Sequence, residues 1–222
     1  MPEYDFYAGY WQEALREQDA FVAECEAGSP HYLESVVRST RALIRLARGD
    51  AEEAAADALR AEELARERKD PHTVLPALGV RLRLESELAR NENAAPLAAE
   101  LLRQRAAHAS HPPALELAWT AERLQIADAV REWLDAIVYR SAWSDAARTI
   151  LDDDLERAAE LFVQIGSLPD EARARLRAAE RLVAQARRAD ADVQLNKALA
   201  FYRSVGATRY IREGEALLAI SA

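Results

Sequence analysis

The chain has 222 residues, of which 38 are acidic and 29 are Lys or Arg, so its formal net charge is −9. This acidic balance argues against nucleic acid as a partner, because nucleic-acid binding favours concentrated positive charge. Half of the residues are apolar, yet the sequence contains no apolar run near the ~20 residues that a membrane-spanning helix needs. We therefore expect no nucleic-acid partner and no membrane partner.

The composition predicts an all-α fold of about 11–12 helices. Only seven Gly and eight Pro punctuate the chain, and Ala, Leu, Glu and Arg, which are good helix formers, are frequent. Cys25 is the single cysteine, so an intrachain disulfide is excluded. A lone thiol and an N-terminus without a basic signal segment are typical of a cytoplasmic protein.

In chain order, the first predicted element is a helix over residues 3–26, in which aromatic side chains recur at helical spacing. We expect segment 1–28 to be an N-terminal capping helix, since the end of a repeat array must be covered. Residues 30–110 then predict repeat hairpins, with helices over 31–48, 51–68, about 72–90 and 94–109.

Residues 113–151 predict irregular helices. Positions 114–138 fit either one long helix or two short ones, because no Gly or Pro marks a turn near Gln125. A short helix over 142–151 is expected, with Ser141 and Ser144 as candidate caps.

Segment 153–222 contains one stretch twice. Residues 155–166 read LERAAELFVQIG and residues 195–206 read LNKALAFYRSVG, an offset of 40 positions. Each copy predicts a helix with one apolar face, and each ends at a glycine that can take the left-handed conformation of a helix C-terminus. A period of 20–50 residues in helical sequence indicates a stacked helical array. The whole chain, 1–222, is therefore predicted to be one α-solenoid domain of antiparallel hairpins.

The second helices of these hairpins resemble tetratricopeptide repeats. Ala54, Ala158 and Ala198 occupy one position of the pattern, Ala58, Phe162 and Tyr202 the position four later, and Ala61, Ile165 and Val205 the position seven later. The looser spacing is similar to MalT-like repeats. Segment 150–222 resembles the C-terminal repeats of actinobacterial class III cyclase and AAA-type ATPase regulators. That resemblance implies a right-handed superhelix that contacts partners in bacterial signalling, and it brings no catalytic residue.

Four arginines form the clearest candidate binding surface. Arg38, Arg41, Arg45 and Arg48 are spaced 3, 4 and 3 apart, which places them on one stripe of a helix. We call them the arginine stripe. They could line a concave surface and receive an acidic peptide or a nucleotide. Alternatively, they form a solvated face that pairs with acidic residues of the next helix, namely Glu52, Glu62, Glu63 or Glu67.

Other candidate chemistry is weak. His108 and His111 form an i, i+3 pair, but zinc usually needs three or four convergent ligands. Asp152, Asp153 and Asp154 suit the N-terminus of the next helix better than a cation loop. No set of nucleophile, base and orienting group can be assembled.

We therefore expect no enzyme activity, no metal and no cofactor. The sequence favours a protein-interaction or regulatory scaffold with a protein or peptide partner. A small-molecule sensor with its ligand in the concave groove, and a self-association module that forms homo-oligomers, stay open as alternatives.

Overall fold

A computed structural model of the chain describes the backbone of residues 2–104, 111–138 and 140–219. These residues form 13 helices and no strand, which confirms the all-α class. The helices, numbered in chain order, are α1 (Pro2–Ala8), α2 (Trp11–Glu26), α3 (Glu34–Arg48), α4 (Ala51–Arg68), α5 (Pro71–Glu87), α6 (Asn91–Arg103), α7 (His111–Thr120), α8 (Ala127–Asp135), α9 (Ala142–Leu151), α10 (Leu155–Ile165), α11 (Leu168–Ala184), α12 (Arg188–Val205) and α13 (Thr208–Ala219).

Several predicted helix ends are confirmed. Gly49, Gly166 and Gly206 follow α3, α10 and α12 with φ angles of 95°, 83° and 69°, the left-handed conformation that a residue without a Cβ adopts easily. Ser141 caps α9 in a reciprocal pair with Ser144, as the sequence indicates.

The prediction of one helix over residues 3–26 is wrong, because Gly9 interrupts the helix. Gly9 has a φ of 82° and separates α1 from α2. A Cβ at this position would lie 3.2 Å from the ring of Phe201, so a side chain would be crowded as well as strained. The indole nitrogen of Trp11 donates a hydrogen bond of 2.8 Å to the carbonyl of Phe6 across the break. α3 also begins later than predicted, at Glu34 and not at residue 31.

Residues 114–138 contain two helices, α7 and α8. The turn between them uses Gln125, which takes a φ of 56°. Ile126 donates its backbone N–H to the carbonyl of Ala121 at 2.9 Å. The sequence carries no glycine signal here because a non-glycine residue adopts the left-handed conformation, and the same happens at Lys69, Ala89, Asp153 and Ala186.

The repeated stretch buries its alanine and aromatic positions alike in both copies, while Ile165 is half-buried and its counterpart Val205 is buried. Ala158 and Ala198 are fully buried, and Phe162 and Tyr202 are 0% and 1% exposed. Phe162 lies near Trp143 of α9, while Tyr202 stacks on Tyr210 of α13 with ring centroids 4.9 Å apart. The 40-residue offset therefore corresponds to two helices with equivalent buried faces.

Helices that follow one another along the chain mostly pack side by side, and the two ends of the chain also meet. α13 packs on α3, and the Thr208 hydroxyl donates to the carbonyl of Arg48 at the end of α3. Trp11 of α2 meets Phe201 of α12 edge to face at 5.6 Å. Helices α3, α5, α7 and α11 consequently lie in the interior and bury charged as well as apolar side chains.

Candidate functional site

A cavity of about 280 Å³ lies between the interior helices. α3 contributes residues that recur at helical spacing, namely Ser35, Val36, Ser39, Thr40 and Leu43. α5 contributes a second such set, namely His72, Thr73, Pro76, Ala77, Val80 and Arg83. The remaining wall comes from α1, the segment before α3, α7 and α11, through Phe6, Tyr7, Leu33, Leu115, Glu116 and Asp170. The cavity is thus mostly apolar, with a few polar groups converging on it.

Arg83 is the unusual residue of this cavity. It is 6% exposed, and its Nε donates to no group in the described part of the chain. Its Nη1 lies 3.7 Å from Glu116 Oε1 and 3.9 Å from Asp170 Oδ1, and both distances are too long for a hydrogen bond. Burial alone would lower the pKa of Arg83, but the surrounding acids, led by Glu116, raise it. The guanidinium therefore stays charged while its Nε has no acceptor among the described residues.

The two carboxylates near Arg83 differ in how they are satisfied. Arg173 Nη1 donates to both oxygens of Glu116 at 2.9 Å, so this carboxylate already has its cation. Burial nevertheless outweighs Arg173 and raises the pKa of Glu116. Asp170 accepts a hydrogen bond of 2.6 Å from the Ser167 hydroxyl at Oδ2, and its Oδ1 faces Arg83. Only Asp170 therefore offers a carboxylate oxygen without a close donor at the cavity.

The ion network continues away from the cavity through Glu87. Arg173 Nη2 lies 3.1 Å from Glu87 Oε1, and Arg177 Nη2 lies 3.5 Å from Oε2. Burial would raise the pKa of Glu87, but four guanidinium groups, led by Arg173, outweigh it and lower the pKa to about 2. Glu87 is therefore ionised at neutral pH.

A second cleft, of about 740 Å³, shares Glu87 and Arg173 with this network. The Arg173 guanidinium carbon lies 4.8 Å from the centre of the Trp119 ring, a cation–π contact. The charged residues that line this cleft are five arginines and five acids, namely Arg123, Arg173, Arg177, Arg181, Arg209, Glu87, Glu122, Asp153, Glu180 and Glu213. The two signs are equal in number, and each of the five acids already pairs with an arginine of the same lining, so these charges satisfy one another.

The predicted arginine stripe faces α4 and α2. Asp57 of α4 is 2% exposed and is shared by three of the arginines. It accepts from Arg41 Nε at 2.7 Å and Nη2 at 2.5 Å, from Arg45 Nη1 at 2.9 Å and from Arg38 Nη1 at 3.3 Å. Arg48 instead donates to the side-chain oxygen of Gln12 at 3.0 Å. Arg38 and Arg41 are each 6% exposed.

Further acids around the stripe come from α2 and from α3 itself. Asp19 accepts from Arg41 at 3.1 Å and from Arg45 at 3.0 Å, while Glu26 and Glu34 each accept from Arg38 at 2.8 Å. These residues and Asp57 take the place that the sequence assigned to Glu52, Glu62, Glu63 and Glu67 of the next helix. A groove of about 650 Å³ borders the stripe between α2 and α4. Whether a partner binds there stays a prediction.

Sequence reasoning missed both Asp57 and Arg83, although each carries a local signal. Asp57 lies on the small-residue face formed by Ala54, Ala58 and Ala61, and a charged side chain is rare on such a buried face. Arg83 lies seven residues after Pro76 on the apolar face of α5. A charged residue inside a predicted buried face is expected to have a specific partner.

The other sequence candidates have structural roles where they are described. Asp154 caps α10 by accepting from the backbone of Arg157, as predicted. Asp152 pairs with Arg131 at 2.7 Å, and Asp153 pairs with Arg181 at 3.1 Å. The His108–His111 pair lies outside the residues whose side chains are described. Within the described residues, no group of three or more His, Cys, Asp or Glu is placed to hold a metal.

No protein-family model matches the chain, and no curated protein or solved structure is significantly similar to it. Over the described residues, no helix is both long enough and apolar enough to cross a membrane. The geometry of the cavity is therefore the basis on which a function can be argued.

Proposed function

We propose that this chain is a regulatory module without catalytic activity, which binds a small molecule in the cavity between α3, α5, α7 and α11. The observation that supports the proposal is the buried, charged Arg83 at the cavity wall. Its Nε has no acceptor in the described part of the chain, and a buried polar group without a hydrogen bond is costly, so a ligand that supplies an acceptor would explain an arginine at this wall. Ligand sites typically combine an apolar wall with a few placed polar groups, and this cavity has that composition.

A thermal-shift screen with a panel of small metabolites tests this proposal. At least one compound should raise the melting temperature saturably, because a ligand that binds only the folded state stabilises it. Ala77, which is 2% exposed and lines the cavity, provides the decisive variant. Ala77→Leu should remove the shift, whereas Ala99→Leu, at an exposed position of α6, should retain it. A shift that survives Ala77→Leu would place the ligand elsewhere and contradict the proposal.

We also propose that the helices form hairpins of the tetratricopeptide type. The equivalent burial of Phe162 and Tyr202, and the side-by-side packing of α3 with α4 and of α11 with α12, support this. The contact of α13 with α3 would close such a stack upon itself. An experimental structure in which the pair α10–α11 superposes on α12–α13 would support the assignment, and unrelated crossing angles would contradict it.

A protein-interaction scaffold in a bacterial signalling system is the second proposal, and the groove along the arginine stripe is the observation that favours it. Arg45 is the most accessible of the three arginines that pair with Asp57, with 23% of its side chain exposed. The groove is lined by four arginines and five acids, so a peptide of mixed charge fits it better than an acidic one. Binding of such a labelled peptide, weakened by Arg45→Glu and by added salt, would support this role. Unchanged binding would contradict it. The alternative of self-association predicts a mass that rises with concentration in sedimentation.

A further inference from the structure

The chemistry of the cavity narrows the class of ligand, provided that the proposed small-molecule function holds. Arg83 Nη1 and Asp170 Oδ1 carry opposite charges 3.9 Å apart, which is too long for a hydrogen bond, and Arg83 Nε has no acceptor in the described part of the chain. The site therefore has one donor group and one acceptor group to offer, side by side. A ligand that satisfies both needs an anionic and a cationic group close together.

The charges at the cavity also favour a ligand that has both an anionic and a cationic group. Glu116 is held at 2.9 Å by Arg173, whereas Arg83 and Asp170 face each other at 3.9 Å, a longer and weaker pair. A ligand with only a carboxylate would place a second anion near Asp170 when it binds Arg83. A ligand with only an ammonium would leave Arg83 Nε without an acceptor. Both arrangements are costly beside side chains that are 6% and 4% exposed, whereas a zwitterion matches both charges.

The remaining walls define the rest of the ligand. Val36, Leu43, Pro76, Val80 and Leu115 line the cavity with aliphatic groups. A volume of about 280 Å³ is slightly below the ~300–1,000 Å³ usual for ligand pockets, which suits one small molecule and not a nucleotide or a peptide. An aliphatic or aromatic side chain on the zwitterion would fill this part of the space.

We infer that the cavity binds a free α-amino acid with an apolar side chain, with its carboxylate on Arg83 and its ammonium on Asp170. The ammonium and the carboxylate of such a ligand are held on one carbon, which suits two protein charges that are 3.9 Å apart. The hydroxyl of Ser39 lines the same cavity and is a further polar group for the carboxylate.

Isothermal titration with three probes tests this inference on the unmodified protein. The probes are L-leucine, N-acetyl-L-leucine, which lacks the ammonium, and L-leucinamide, which lacks the carboxylate; L-valine and L-phenylalanine are tested alongside. An apolar amino acid should bind at least about 10-fold more tightly than its two derivatives, because each derivative loses a charge-assisted hydrogen bond. The inference is overturned if none of the amino acids binds, or if a derivative binds equally well.

Asp170→Asn adds a second, independent readout. It preserves the shape of the side chain and an oxygen that can accept from Ser167, so we expect the far-UV circular dichroism to be unchanged. The variant should bind L-leucine about 10–100-fold more weakly, because the partner of the ammonium is removed. Its affinity for N-acetyl-L-leucine should not fall, since the carboxylate of Asp170 that repels this anion is gone. General damage to the fold would weaken both ligands alike. Equal losses of affinity for the two ligands would therefore count against the inference. If the variant does not fold, the titration of the unmodified protein decides, and a protein that does not prefer L-leucine to its two derivatives would also count against the inference.

The two proposals fail in different ways. If a metabolite of another class raises the melting temperature and Ala77→Leu removes that effect, while no amino acid binds, the small-molecule function stands and the ligand class is wrong. If L-leucine binds as tightly to Ala77→Leu as to the unmodified protein, the cavity is not the site, and both proposals are refuted.

Discussion

Asp57 should be among the most sensitive positions of the chain, because its carboxylate pairs with three guanidinium groups in the interior. Asp57→Asn preserves the size of the side chain but removes the charge that Arg38, Arg41 and Arg45 share. Arg41 would then be left, at 6% exposure, with Asp19 as its only acid. Removing one partner of a buried ion pair costs about 3–5 kcal/mol, against a total stability of roughly 5–15 kcal/mol for a folded domain.

Urea unfolding followed by circular dichroism measures this loss. With a denaturant slope of about 2–3 kcal/mol/M, the midpoint should fall by roughly 1–2 M. Asp19→Asn is the matched control, since Asp19 accepts from two of the same arginines but has 49% of its side chain exposed. It should cost less than about 1 kcal/mol. Equal effects of the two substitutions, or a loss below about 1 kcal/mol for Asp57→Asn, would refute the reasoning that burial decides the contribution of these pairs.

Three further predictions concern the interior. Glu87 has a pKa lowered to about 2 in the folded protein, so it contributes stability that is fully present above pH 4.5 and is lost as the pH falls towards 2. The contribution corresponds to about 3 kcal/mol. Glu87→Gln should therefore flatten the fall of the urea midpoint below pH 4.5, and an unchanged slope would contradict the role of the network. Phe162→Ala should cost about 3–5 kcal/mol in the same assay, while Val163→Ala, at a position 53% exposed, should be nearly neutral. A small effect of Phe162→Ala would show that the repeated stretch is out of register. Gly214→Ala would place its Cβ 2.7 Å from a methyl group of the buried Leu199. The free-energy cost of this overpacking should exceed the gain in helix propensity of about 1 kcal/mol, so the substitution should lower the stability. A rise in melting temperature would mean that α12 and α13 pack less closely.

If a ligand binds in the cavity as proposed, the buried charges should link its binding to the stability of the fold. Arg83, Glu116, Arg173 and Glu87 form one connected set of ion pairs between α5, α7 and α11. A ligand that neutralises Arg83 would relieve part of the cost of burying this set. We therefore expect any ligand of the cavity to raise the melting temperature, even where its contact area is small.

Local patterns in the sequence determined the helices and many of their ends. Gly49, Gly166 and Gly206 end helices as predicted, and the repeated stretch predicted the matched burial of Phe162 and Tyr202. These features depend on residues within one or two turns of each other, so their signal is contained in a short window. The glycine at position 9 is itself a sequence signal for the end of α1, whereas nothing in the residue type of Gln125 indicates its left-handed conformation.

The tertiary structure alone decided which side chains share a site. Arg83 and Asp170 are 87 positions apart, and Arg83 and Glu116 are 33 apart, yet they meet at one cavity. Likewise, the arginine stripe was visible as a row on one helix, but its partner Asp57 depends on how α3 turns towards α4. Helical periodicity shows which face of a helix is apolar, and it does not show which other helix that face meets. The cavity and its charges result from the packing of five helices, and this packing depends on contacts between residues far apart in the chain.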